Sequence, residues 1–171
     1  MRLDQLLSAR ADLWRGYARP GALPDAVPTG LPSGFNALDA ILTGGGWPAG
    51  GLSEVLTQHQ GAALALLLPL LVRLSAGRRW LLWVDPPHVP FPPALAAGGL
   101  NLARILIVRA GTDAAWAAEQ GLRSGTCAAV LAWTGPSAVA YAGQGPRHKR
   151  SAACWTPAAL RRLQLAAADT D

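Results

Sequence analysis

Apolar positions recur along this chain with two different periods, and the changes between them mark its elements. Leu3, Leu6, Leu7, Leu13 and Trp14 fall at helical spacing and predict an amphipathic N-terminal helix. Residues 19–34 are rich in Pro, Gly and Ala and read as a linker. Phe35, Leu38, Ile41 and Leu42 then predict a short helix that stops at Gly44, Gly45 and Gly46.

From residue 52 short apolar runs alternate with helical periodicity. Residues 52–57 read as a strand, 62–75 as an apolar helix carrying Pro69, and 80–85 as a second strand. A Pro-rich connection with a short helix near 94–97 leads to a strand at 105–108, a helix at 113–123 and a strand at 127–133. Strands apolar on both faces and separated by helices predict an α/β fold, with a mostly parallel sheet flanked by helices. Residues 134–157 break this order with Gly, Pro, Ser and a basic run. A last helix follows at 157–168, with Leu160, Leu163 and Ala167 along one side and Arg161 and Arg162 pointing elsewhere. The expected organisation is a helix and linker over residues 1–33, then a core over 34–171 with an atypical basic segment at 134–157.

Composition narrows the function classes. The chain has 171 residues, enough for one domain with a real core, and 51% of them are apolar. The longest uncharged apolar run, residues 62–72, falls short of the roughly 20 residues that a bilayer span needs. No apolar stretch before a cleavage site follows Met1, and Cys127 and Cys154 suggest no disulfide framework, so a cytoplasmic protein is expected. Net charge is +5, and the basic side chains are almost all arginine, the one lysine being Lys149. That balance favours nucleic acid or an acidic protein surface as partner.

Candidate chemistry centres on the junction Thr57-Gln58-His59-Gln60-Gly61, between the strand at 52–57 and the helix at 62–75. Phosphates bind at such junctions because free N–H groups and the helix dipole converge there. A working phosphate loop also needs a lysine and a magnesium-binding hydroxyl, and Ala62 and Ala63 stand where they would be. The junction therefore reads as a degenerate ATPase site with no cofactor, in a protein that is not an enzyme. Non-productive nucleotide binding stays open, since one glycine and a helix N-terminus remain.

Gly44-Gly45-Gly46-Trp47-Pro48-Ala49 matches a dinucleotide fingerprint formally, but it precedes a strand and reads as a turn. Asp85 ends a strand where a carboxylate can orient water, but Pro86 and Pro87 follow and a turn-forming role fits better. His59, His88 and His148 are scattered, so no metal site is expected. Arg147, Lys149, Arg150, Arg161 and Arg162 crowd a short span around Trp155, with no acid before Asp169. An aromatic among cations suits stacking on single-stranded bases or docking on an acidic partner. A solvated helix face plus a loop accounts for the same residues equally well.

Several segments in order resemble known families. Gly34-Phe35-Asn36-Ala37-Leu38-Asp39 and Gly44-Gly45-Gly46-Trp47-Pro48-Ala49-Gly50-Gly51-Leu52-Ser53-Glu54-Val55 resemble the lead-in to the nucleotide loop of RecA recombinases. They are closer still to ImuA, the RecA-like accessory protein of damage-induced mutagenesis. Gly99-Leu100-Asn101-Leu102-Ala103-Arg104-Ile105-Leu106, Ala118-Glu119-Gln120-Gly121-Leu122-Arg123-Ser124-Gly125 and Leu160-Arg161-Arg162-Leu163-Gln164-Leu165-Ala166-Ala167 look similar to later segments of that family. On this resemblance the RecA phosphate and magnesium residues fall at Ala62 and Ala63, and the catalytic acids at Pro87 and Trp133. It implies a RecA-like scaffold for SOS-induced DNA repair and error-prone translesion synthesis. The implied partners are an ImuB-like inactive polymerase, with RecA or an error-prone polymerase, and possible contact with DNA.

Leu66-Leu67-Leu68-Pro69-Leu70-Leu71 and Trp80-Leu81-Leu82-Trp83 also resemble the SulA cell-division inhibitors, which implies FtsZ as an alternative partner. The lead-in at 28–55 and the helix at 160–167 favour ImuA. Residues 134–157 depart from that family, and the chain ends just past the last helix where ImuA continues with further strands. The expected sheet is thus truncated at its C-terminal side, with an open edge.

Overall fold

The computed structural model describes residues 30–57, 61–134 and 154–169. Trp80–Val84, with the sequence WLLWV, has no polar position among its five and therefore needs cover on both faces. It forms β1, the centre of a three-stranded parallel sheet with Ile105–Val108 (β2) on one side and Cys127–Ala132 (β3) on the other. Leu81, Leu82, Trp83 and Val84 are all buried.

Alternation along the strand divides these side chains between two layers. Leu81 and Trp83 join Leu71 and Leu100 in one core, packed by Ala62–Ser75 (α2) and by Leu95 of Pro92–Ala97 (α3). Leu82 and Val84 join Ala114, Ala118 and Leu163 in a second core, under Ala114–Arg123 (α4) and Pro157–Ala168 (α5). Small residues let the second pair of helices lie close. A Cβ on Gly121 would come within 2.3 Å of Leu82 Cδ2, and α5 meets the core through Ala159, Leu163, Ala166 and Ala167.

Helix ends follow their local chemistry. Thr156 caps α5, its Oγ1 accepting the Ala159 N–H at 3.2 Å, with Pro157 in the first turn. Asn101 caps the 3₁₀ turn Leu102–Arg104 that leads into β2, and its own N–H donates to Ser75 Oγ at the end of α2. Asn36–Asp39 (α1) is a single turn, and Gly44 and Gly45 then take positive φ, as the expected stop of this helix requires. Leu31 and Trp47 exchange two 2.7 Å backbone hydrogen bonds across this segment. It rests on α2 where Gly34, at φ +90°, meets Pro69: a Cβ on that glycine would lie 2.5 Å from the proline ring.

The sheet differs from expectation at its beginning. Residues 52–57 form no strand, and Leu56 is 86% exposed. The Leu52 N–H donates to Gln164 Oε1 of α5 at 3.0 Å instead of to a neighbouring strand. An apolar run becomes a strand only when it joins a ladder, and among the described residues this one pairs with none. The described sheet is therefore a small parallel one flanked by helices, and the RecA-like assignment of the fold finds no support in it.

β1 also stops one residue early. Asp85 adopts φ +50° and turns the chain out of the ladder. Its buried carboxylate accepts the Ala110 N–H at 2.9 Å and the Gly111 N–H at 2.8 Å, tying the end of β1 to the turn after β2. Among the described residues no helix is long and apolar enough to cross a membrane.

Asp85→Ala would leave two N–H groups of this turn without acceptors. We expect a loss of about 2–4 kcal/mol in urea unfolding, and a smaller loss for Asp85→Asn, which keeps one acceptor oxygen.

Candidate protein-binding surface

The junction before α2 lacks the frame that a phosphate loop requires. No strand leads into it, and Gly61 caps the helix at φ −82° without a side-chain hydrogen bond. Thr57 and Gly61 flank it, while Gln58, His59 and Gln60 lie outside the described residues. Asp85 has both carboxylate oxygens engaged by backbone N–H groups, which gives it the turn-forming role.

Of the basic residues picked out near the C-terminus, only Arg161 and Arg162 fall among the described residues. Arg147, Lys149 and Arg150 lie outside the described residues. Trp155 is half-buried, packed against the core of Leu82, Val84 and Leu163 with its Nε1 buried. Arg161 is exposed, but Arg162 Nε donates to Glu119 Oε2 at 2.9 Å across the α4–α5 contact. Arg123 reaches the other oxygen of Glu119 at 3.0 Å. The Glu119 side chain is only 10% exposed, and two guanidiniums hold its charge. The hydrogen bond from Arg162 lowers its pKa below the ordinary 4.5, against the opposing effect of burial.

A different cationic surface forms where the strands begin. Parallel strands start at one end of a sheet, and the register Leu81↔Ile105 sets Arg104 beside Trp80. The Arg104 guanidinium lies 5.6 Å from the centroid of the Trp80 ring, and Trp80 is 38% exposed. Arg78 and Arg79, both exposed, occupy the turn just before. Residues 55–84 and 86–112 contain no acid, and among the described residues no ion pair involves Arg78, Arg79 or Arg104. Arg104 over a half-open aromatic, with Arg78 and Arg79 in the turn before it, forms a surface suited to carboxylates on a protein partner.

This surface was hard to find by spacing alone. Arg78-Arg79-Trp80 and Arg104 are separated by a helix and a Pro-rich connection, and only parallel pairing joins them. The signal available in sequence was the arginine pair directly abutting the first residue of an apolar strand.

Comparison with known proteins identifies the surroundings of this surface. The family model described as "Cell division inhibitor SulA" matches residues 50–153. The SulA of Edwardsiella piscicida is 37% identical over 91 residues, covering 52% of this chain and 54% of that protein. The SulA of Serratia proteamaculans is 35% identical over 94 residues, covering 53% of this chain and 56% of its own length. The chain thus spans about half the length of the curated relatives it matches. The crystal structure of SulA from Pseudomonas aeruginosa aligns with 70% of this chain and 89% of its own, at 28% identity and a TM-score of 0.49.

These matches correct the reading favoured by the lead-in at 28–55. The ImuA assignment, the role in translesion synthesis, and the ImuB-like, RecA and polymerase partners give way to the cell-division family. Much of that lead-in lies before the matched residues, and its expected strand at 52–57 does not join the sheet.

The clamp on Glu119 has a consequence for acid stability. A carboxylate whose pKa is lowered by folding contributes its full stability above the unfolded value and loses it as pH falls through the folded one. We expect the unfolding midpoint to drop as pH is taken below 4.5. Glu119→Gln should remove part of that dependence in thermal melts across pH, leaving the part due to Asp39, whose pKa the Ser33 hydrogen bonds also lower.

Proposed function

The chain belongs to the SulA family of cell-division inhibitors, and from that premise we propose that it is an SOS-induced inhibitor of division that binds FtsZ in the cytoplasm. It acts by occupancy and not by catalysis. Bound to FtsZ, it withholds the subunit from polymerisation.

The observation that carries this reading is Arg104 over the Trp80 ring with Arg78 and Arg79 in the turn before it, inside the span matched to the family. Binding energy at protein interfaces concentrates in Trp, Tyr and Arg, and cations without internal partners lose little when they meet carboxylates. The same unpaired charge speeds encounter with an acidic surface, an advantage that salt reduces.

Sedimentation of FtsZ assembled with GTP tests the proposal. The purified chain should lower the pelleted fraction in proportion to its concentration, and its expression in bacteria should produce filaments. Arg79→Glu with Arg104→Glu should raise the concentration needed by about tenfold or more. An intact chain with no effect on FtsZ assembly or on cell length would end this reading.

A further inference from the structure

The turn before β3 carries two hydroxyls whose protons can be placed. Ser124 caps the C-terminus of α4, and its Oγ donates to Gly121 O at 2.8 Å. That carbonyl lies in the last turn of the helix, where its ordinary donor is engaged elsewhere: the Gly125 N–H goes to Leu122 O. A serine has one hydroxyl proton. With that proton on Gly121 O, the 2.7 Å contact between Ser124 Oγ and Thr126 Oγ1 requires Thr126 to be the donor. The Thr126 N–H donates to the same Ser124 oxygen at 3.2 Å. Thr126, an exposed residue, has thus turned its hydroxyl proton inward and offers the solvent only lone pairs.

An irregularity in the sheet sets this acceptor beside the arginines. Between Trp80 and Leu81 the pairing of β1 with β3 slips by one residue: Trp80 stands against Cys127, but Leu81 against Ala129. The extra residue, Ala128, packs on the same core as Ala129, whereas Cys127 packs on the opposite one. The slip draws Thr126 one position closer to Trp80, whose N–H donates to Thr126 O at 2.9 Å. Arg79 directly precedes Trp80, and Arg104 lies over its ring from the start of β2. Across the starts of the three strands the surface runs from Arg104 through Arg79 and Trp80 to Thr126.

The two sides of Trp80 therefore suit different groups. Guanidiniums take a carboxylate, whereas a carboxylate placed on Thr126 Oγ1 would set acceptor against acceptor. We propose that Thr126 is a specificity-determining residue for FtsZ, its hydroxyl oxygen accepting a hydrogen bond from an amide or ammonium N–H that lies beside the carboxylate held by the arginines. This rests on the reading of FtsZ as partner and states how one acidic surface is told from another. Negative charge alone satisfies the arginines, and only a neighbouring donor satisfies Thr126.

The test uses the whole chain in FtsZ sedimentation across a salt series. Thr126→Val keeps the shape of the side chain and removes the acceptor. It should keep the melting temperature of the parent and raise the concentration needed to halve the pellet by about fivefold to tenfold. The factor should hold as salt is raised, because no charge is lost. Thr126→Ser, which keeps the oxygen, should restore inhibition. A Thr126→Val chain that inhibits as well as the parent overturns the role of Thr126 and leaves the FtsZ reading intact. A loss that disappears at high salt overturns the hydrogen bond in favour of charge. A loss that comes with a lower melting temperature and is not restored by Thr126→Ser overturns it in favour of a structural role. A parent chain without effect on FtsZ overturns the function and the role of Thr126 together.

Discussion

The requirement that β1 be covered on both faces organises the rest of the structure. WLLWV offers no side that water could share, so the chain must supply a layer above and a layer below. α2 and α3 provide one, while α4 and α5 provide the other. Parallel pairing follows from the same need, because each crossover between strands is then a segment that can pack on a face. The starts of the strands consequently share one end, and the cationic surface exists because Arg78, Arg79 and Arg104 each stand just before a strand.

The two ends of the sheet manage polar groups differently. At the end where strands finish, the Asp85 carboxylate is consumed internally by two backbone N–H groups. Between α4 and α5, Glu119 likewise absorbs Arg123 and Arg162. Of the acids present, these two are spent on holding the fold, so the arginines at the start of the strands have none to pair with nearby. A basic chain that uses its buried carboxylates structurally leaves cations such as these available for recognition.

Much of this was legible from residues alone. Period and composition identified α2, β1, β2, α4, β3 and α5, because each is a sustained apolar or helical pattern whose local preference agrees with its packing. Residues 52–57 failed because Leu52, Val55 and Leu56 carry strand-like composition, while strand formation depends on a neighbour that the local sequence does not encode. Trp155 and Arg162 sit among cations along the chain, and folding packs one against the core and ties the other to Glu119. The cluster around Trp80 was invisible for the complementary reason, since its members come together only through long-range pairing.

The position of β1 in the strand order carries a cost during synthesis. Both of its neighbours follow it in the chain, the first beginning at Ile105 and the second at Cys127. As the polypeptide emerges, WLLWV therefore waits with neither edge satisfied until most of the domain has been made. A five-residue apolar strand in that condition is a hazard for pairing with other nascent chains. The leucines of α2, which emerge just before it, can cover one face early, so a chaperone-like role falls to the preceding helix. Folding speed is then governed by closure of the two crossovers, a cost set by topology more than by any single contact.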